Sequence, residues 1–549
     1  MLQPNHATRI PELTLFVAKA AFPNGRLPIT LRDELGPIFD DADFIHLYPA
    51  LGQPAESPAR LALITLLQFV ENLPDRQAAD AVRGRIDWKY ALGLELSDPG
   101  FHYSVLSEFR QRLVAHGQER MLLDKLLARC RDKNLLKGKH KQRTDSTHVL
   151  AAVRALSLLE LVSETMRRVL HTLARVAPDW LQAHMPPEWI ERYERRVDAY
   201  RLPNCPEQHD ALAVQIGQDG FALFEAASAA TAPSDVRTLP LLDILRRIWI
   251  QQFYRDLDGQ VYWRTKKEWG QPPAHLMIAS PEDLEAKYSV KRSTEWIGYK
   301  VHLTETCDTE QPRLITQVET TPATTHDVKV TQIVQDDLKE RDLLPQTHIV
   351  DEGYMETDLL VSSQKRGIDL VGPVPSHKSW QSRTDDAFDH TQFEIDWDAK
   401  QARCPGGKTS AFCSERKTWR GTPNVIFAFH VEDCRPCPLR ARCTRAENVG
   451  RTLTVYPETE YKAQEAARAR QKTDDFKVLY GKRAGIEGII SQGVRGMGLR
   501  QTRYIGLTRT HLQHVATAAA INLERIADWV MGERPEPTRR SPLRALAAA

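Results

Sequence analysis

The chain has 549 residues, 42% of them hydrophobic and 27% charged, with a net charge of only +2. That length supports several domains and at least one large core, and the composition is that of an ordinary globular protein. The N-terminal "MLQPNHATRIPELTLF" lacks a charged head before a long apolar core. The most apolar late run, "HVATAAAINL", is too short to span a bilayer. These features argue against secretion and membrane insertion, and the expectation is a cytoplasmic protein.

Residues 1–39 read as an N-terminal extension and residues 40–137 as a helical unit. In "SPARLALITLLQFVENL" Ser57 is a candidate N-cap and Pro58 takes the first helical position. Leu63, Leu66, Leu67 and Val70 follow at helical spacing. A second helix starts just after Leu73 and a third near Tyr103. The short turn between the first two fits a helix-turn-helix, and it fits any small bundle as well. Arg129 to Arg143, "RCRDKNLLKGKHKQR", is strongly basic, as is Lys462 to Arg509. Such patches attract phosphate groups, although a charge run also serves as a plain solvated helix face.

From Ala152 the pattern is again helical and gives a helical insertion, residues 152–290. "GYKVHLTETCD" and "RLITQVETTPA" then read as paired strands, "DVKVTQIVQDDLKERDLL" as a helix and "THIVDEGY" as a strand ending on a carboxylate. "METDLLVSSQKRG" and "IDLVGPVP" repeat the helix–strand alternation, which implies a mixed α/β core with some parallel pairing. Residues 391–454 hold the late cysteines, Tyr461 to Trp529 is helical, and residues 531–549 form a polar tail that favours disorder.

Asp145, in "RTDSTHV", and Asp351, in "HIVDEGY", each stand at a strand where a ligand site of an open α/β sheet would lie, or each is a turn or cap aspartate. Two acids on neighbouring strands suit a shared Mg²⁺, which takes carboxylate and phosphate oxygens. "YGKRAGIEGII" spaces Tyr480, Arg483 and Glu487 by three and four residues, on one helical face. His148 and His326 read first as structural histidines. Of eight cysteines, five cluster late. Cys434, Cys437 and Cys443, with Cys404 as a fourth thiolate, have the character of a structural Zn²⁺ site; the alternative is a set of free buried thiols. Cys413 is left over.

Four features carry a family resemblance: "TDSTHV"; "GYKVHL" followed by "VETTPATTHD" and "HIVDEGY"; "DCRPCPLRARCT"; and the long run from "KRAGIEGIISQGVRGMGLRQTRYIGLTRT" to "NLERIADW". With them the sequence resembles DDE transposases of bacterial insertion sequences, specifically the 1182-type group, from about Asp40 to Trp529. The resemblance implies an RNase H-like catalytic domain, residues 138–530, with a mixed sheet flanked by helices and interrupted by the two insertions. It implies Asp145, Asp351 and Glu487 as the acids that bind two Mg²⁺ (or Mn²⁺), with Tyr480 and Arg483 beside them. Seven residues after Glu487, where the family has Lys, stands Val494; Arg495, Arg500 or Arg503 would supply that charge. Lys139, Lys141 and Arg143 would hold the DNA backbone. The implied activity is cleavage at terminal inverted repeats followed by strand transfer, by a homodimer on double-stranded DNA. An RNase H-like nuclease without strand transfer and an inactive DNA-binding regulator are the alternatives.

Overall fold

The structure is a computed structural model that describes residues 1–2, 4, 9–138, 140–197, 202–203, 205–264, 270–375, 379–418 and 421–534. Among the described residues seven α-helices precede the first strand, beginning at Glu12–Ala21 and Leu27–Leu35, so helix starts well before residue 40. The helix Pro58–Val70 opens as its sequence dictates: the Ser57 side chain accepts from the Arg60 N–H, and Pro58 sits where no intrahelical N–H is needed. Asp75–Gly84 follows after a short turn, and Ser104–Ala115 packs close by. Arg110 ties the three together, bonding Asp75 at 2.6 Å and Gln68 at 3.3 Å.

The central sheet has six strands. β1 (Lys141–Leu150) lies in its middle. After β1 come a small hairpin, β2 (Phe253–Arg255) with β3 (Val261–Trp263), and then β4 (Lys287–Lys291), β5 (Thr294–Thr306), β6 (Ile315–Pro322), β7 (Thr347–Ile349) and β8 (Asp369–Val371). β5 runs antiparallel to β1, β4 and β6; β7 is parallel to both β1 and β8. The resulting order, β6-β5-β1-β7-β8 with β4 also on β5, is consistent with an RNase H-like core. The helices Val328–Glu340 and Thr357–Lys365 connect β6 to β7 and β7 to β8, as their periodicity required.

Between β1 and β4 the helices Leu158–Val176, Pro206–Ser228 and Pro240–Gln252 bury a core of their own around Trp249, Leu173 and Ile216. The stretch 152–290 is therefore not purely helical, because it also contains β2, β3 and most of β4. After β8, five short strands form the Cys-rich unit: β9 (Glu394–Asp396), β10 (Gln401–Arg403), β11 (Phe412–Lys417), β12 (Pro423–Ala428) and β13 (Thr452–Val455), around Phe393, Phe427 and Leu453.

The helix Leu507–Val530 joins the N-terminal helices to the sheet. Leu512, Val515, Ala519, Ile521, Leu523 and Ile526 are all buried, and so are the small residues between them. A helix buried over consecutive residues, polar Gln513, His514 and Asn522 included, needs partners on every side. Here they are β6 on one side and the helix Pro58–Val70 on another, so one hydrophobic core runs from the N-terminal helices into the sheet. No helix among the described residues is long and apolar enough to cross a membrane.

Candidate active site

Asp145 is the fifth residue of β1 and pairs with Leu303 of β5. Its half-buried carboxylate accepts from the Ser146 N–H at 2.7 Å and from Arg483 at 2.7 Å. Burial pushes its pKa up, and the nearby Asp351 charge adds to the push, against the opposing Ser146 N–H and Arg483. Asp351 lies two residues beyond β7, the parallel neighbour of β1, at the carboxyl edge of that strand. Its carboxylate accepts from the Tyr480 hydroxyl at 3.2 Å. Burial raises the Tyr480 pKa as well; Arg483 works against this and Asp351 with it. Burial alone would lower the pKa of Arg483, but Asp145 and then Asp351 outweigh it and the net shift is upward.

The segment bearing Tyr480, Arg483 and Glu487 is not the single helix its spacing suggested. Tyr480 ends the helix Asp474–Gly481, Arg483 sits in a 3₁₀ turn over Lys482–Gly485, and Glu487 is in the first turn of the helix Ile486–Gly496. Tyr480 and Arg483 reach the two aspartates, while Glu487 is exposed and makes no hydrogen bond or ion pair among the described residues.

Arg143 explains the tight turn, and it corrects an expectation. It does not face solvent as a phosphate contact. It is 3% exposed and its Nε donates to Glu305, itself 0% exposed, at 2.6 Å, while Nη1 donates to the Lys482 carbonyl. Residues 143 and 145 share one face of β1, so the helical segment that covers Asp145 also covers Arg143. Arg525 reaches the same Glu305 at 3.0 Å and Gln492 at 3.2 Å, tying the two last helices to the sheet.

The remaining basic residues divide. Arg503 donates to Asn72 and to the Leu73 carbonyl and lies over the Phe69 ring, so its guanidinium clasps the end of the helix Pro58–Val70 and is not free for phosphate. Arg500 donates to the Thr147 hydroxyl at 2.8 Å, two residues along β1 from Asp145. Arg495 is exposed, and Val494, in the place of the expected Lys, packs partly against the main core. Lys141 begins β1, four residues before Asp145, and Lys139 lies outside the described residues. His148 lies beside Trp296, the two rings tilted at 43°, with its pKa lowered by burial, and His326 is exposed.

Sequence reasoning missed two groups near the site. Asp327 pairs with Lys300 at 2.9 Å and accepts weakly from Ser146 at 3.5 Å. Tyr354 donates to or accepts from buried His302 at 2.6 Å, and the Asp327, Asp145 and Asp351 charges all bear on it. The only signal was the run "TTHD" and the "GY" after Asp351, which are uninformative without the fold.

The Cys404, Cys434, Cys437 and Cys443 side chains line one small apolar hollow of about 30 Å³. Arg451 and Lys408 main-chain N–H groups donate to the sulfurs of Cys434 and Cys404 at 3.4 and 3.3 Å. Burial pushes the Cys443 thiol up to about 11. Cys413 lies apart on β11. Among the described residues no three His, Cys, Asp or Glu side chains are arranged as they would be around a metal ion, either here or at Asp145. The acid site still fits a hard cation chemically: burial and the neighbouring Asp351 charge both disfavour the ionised Asp145, opposed by the Ser146 N–H and Arg483, and a divalent cation takes carboxylate oxygens.

Residues 403–527 match the family model of a transposase DDE domain, and residues 19–112 match that of a transposase domain, DUF772. The first match contains Tyr480, Arg483 and Glu487; Asp145 and Asp351 lie before it. Among curated proteins no match is found.

Proposed function

We propose that the chain is an insertion-sequence DDE transposase, a metal-dependent phosphoryl-transfer enzyme, as its matches to two transposase family models indicate, and that it cleaves the ends of its element and joins them to target DNA with Mg²⁺. The observation that carries this reading is the convergence of Asp145 and Asp351 on Arg483 and Tyr480, from the segment that carries Glu487. Two divalent cations bound there would supply a nucleophilic oxygen at neutral pH and stabilise the leaving one. Asp145 and Asp351 would hold them. Glu487, which is exposed, would turn in to complete the set. Arg483 would release Asp145 to the incoming charge and contact the phosphate, and Tyr480 would keep Asp351 oriented.

The same reading makes the protein a cytoplasmic member of the 1182-type group. It binds the terminal inverted repeats through its N-terminal helices and basic surfaces and works as a homodimer, since two ends require two sites. The four cysteines would hold a structural Zn²⁺ that staples the Cys-rich unit without taking part in the reaction.

The test is cleavage of a labelled duplex carrying the element's own end, with Mg²⁺, by wild type, Asp145→Asn and Glu487→Gln. Cleavage and end-joining by the wild type alone is the expected result. Cleavage without joining favours the nuclease. Equal cleavage by all three removes these acids from the reaction, and DNA binding that ignores Mg²⁺ favours the regulator.

A further inference from the structure

We propose that the β4–β5 hairpin is an arm that grips the sugar-phosphate backbone of duplex DNA beside the carboxylate site; the proposal rests on the transposase reading for the identity of the polyanion. β5 is 13 residues long, but its first residues, Thr294–Ile297, pair only with β4. The pairing of β1 stops at Gly298 and that of β6 at Tyr299. The hairpin therefore runs on past the sheet as a two-stranded ribbon, closed by a tight turn in which Arg292 takes a left-handed φ of 57°.

The root of this ribbon is fixed and its tip is not covered. Trp296 is 4% exposed and its indole N–H donates to the Tyr299 carbonyl at 3.1 Å. Lys287 donates to the Met277 carbonyl at 3.0 Å. A side chain at Gly298 would run into the Val149 carbonyl and come within 2.7 Å of the Ala151 nitrogen, so only Gly lets the ribbon leave β1 this closely. Beyond the root, Tyr288 is 45% and Val290 50% exposed. Lys291 and Arg292 are exposed, and neither has a carboxylate partner among the described residues.

An exposed, partly apolar edge strand invites wrong pairing unless a partner covers it or charge protects it. Here the charge at the tip is positive and continues toward the site. Arg500 and Lys291 both bear on His148, Arg500 also holds Thr147, and Arg483 holds Asp145 two residues before it on the same strand face. Arg483 and Arg500 thus follow β1 outward from the carboxylates, and Lys291 and Arg292 stand at the turn of the hairpin that extends the sheet at that end. Spaced cations on a projecting ribbon complement a phosphate backbone, and exposed Val290 and the Tyr288 ring, whose hydroxyl bonds Glu295, would pack against sugars.

The experiment measures binding of a random-sequence duplex by the full chain across a salt series, for wild type and Lys291→Gln/Arg292→Gln. Two lost phosphate contacts lower the slope of log affinity against log salt by ~1.8. The expected result is that drop in the arm variant, with an unchanged thermal midpoint. A charge-reversing Lys291→Glu/Arg292→Glu chain should bind more weakly still. An unchanged slope overturns the arm whatever happens to cleavage, and so does a wild type that does not bind. A reduced slope in a protein that never cleaves keeps the arm and removes the catalytic reading.

Discussion

Gly485→Ala is the sharpest test of how the catalytic segment is held. A Cβ at residue 485 would stand 2.5 Å from Arg143 Nη2 and 2.6 Å from Cζ, with Nη1 closer still. Arg143 cannot step aside cheaply. Its guanidinium is held by Glu305 at 2.6 Å and by the Lys482 carbonyl, and Glu305 is fully buried and shared with Arg525. Overpacking alone costs about 1–3 kcal/mol, and detaching one partner of a buried pair costs about 3–5 kcal/mol. The cheaper response is an outward shift of residues 482–487, which pulls Arg483 off Asp145. We expect a loss of about 3 kcal/mol in urea unfolding. In an Arg143→Met background, where no guanidinium stands in the way, the further cost of Gly485→Ala should fall by at least ~1 kcal/mol, well beyond the ~0.5 kcal/mol within which independent sites add. Additive effects within that limit, or a Gly485→Ala chain as stable as wild type, would refute the contact as the device that sets the turn.

Arg503→Ala should cost about 1.5 kcal/mol in unfolding by releasing Asn72 and Leu73, and should leave the salt slope of DNA binding unchanged; a flatter slope would return Arg503 to the phosphate contacts. Glu319 is pushed up to about 7 by burial, with the Asp337 charge adding and Arg120 opposing. Its ionised form therefore penalises the native state, and stability rises as pH falls from about 7 toward the ordinary glutamate value of 4.5. Glu319→Gln should stabilise the chain at pH 8 by roughly 3 kcal/mol and do nothing at pH 4, read from unfolding at both. For Asp145 the shift has the same sign: Asp145→Asn should raise the thermal midpoint at pH 7, with the gain gone below the usual aspartate range, and added Mg²⁺ should raise the midpoint of wild type only. Reduced, purified protein should carry one zinc by metal analysis, and Cys434→Ser should lose it; a metal-free wild type would leave four free thiols.

The sequence by itself determined the local pieces. Ser57 and Pro58 start their helix because capping needs no distant partner, and the β-branched runs around Ile315 and Ile349 became strands next to helices of the expected period. It also marked Asp145, Asp351, Tyr480 and Arg483, since the motifs lie in short contiguous runs. Only the tertiary structure decided what each cation contacts within the protein. Arg143, Arg500 and Arg503 are alike in a charge count, yet the first is sealed under Glu305, the second holds Thr147 on β1 and the third clasps a helix 430 residues away in the chain. Burial and partner geometry, not residue type, set those roles, and both arise from contacts between segments far apart in sequence. For the same reason Tyr461 to Trp529 read only as helical, and it took the packing of Leu507–Val530 to show that the N-terminal helices and the sheet share one core.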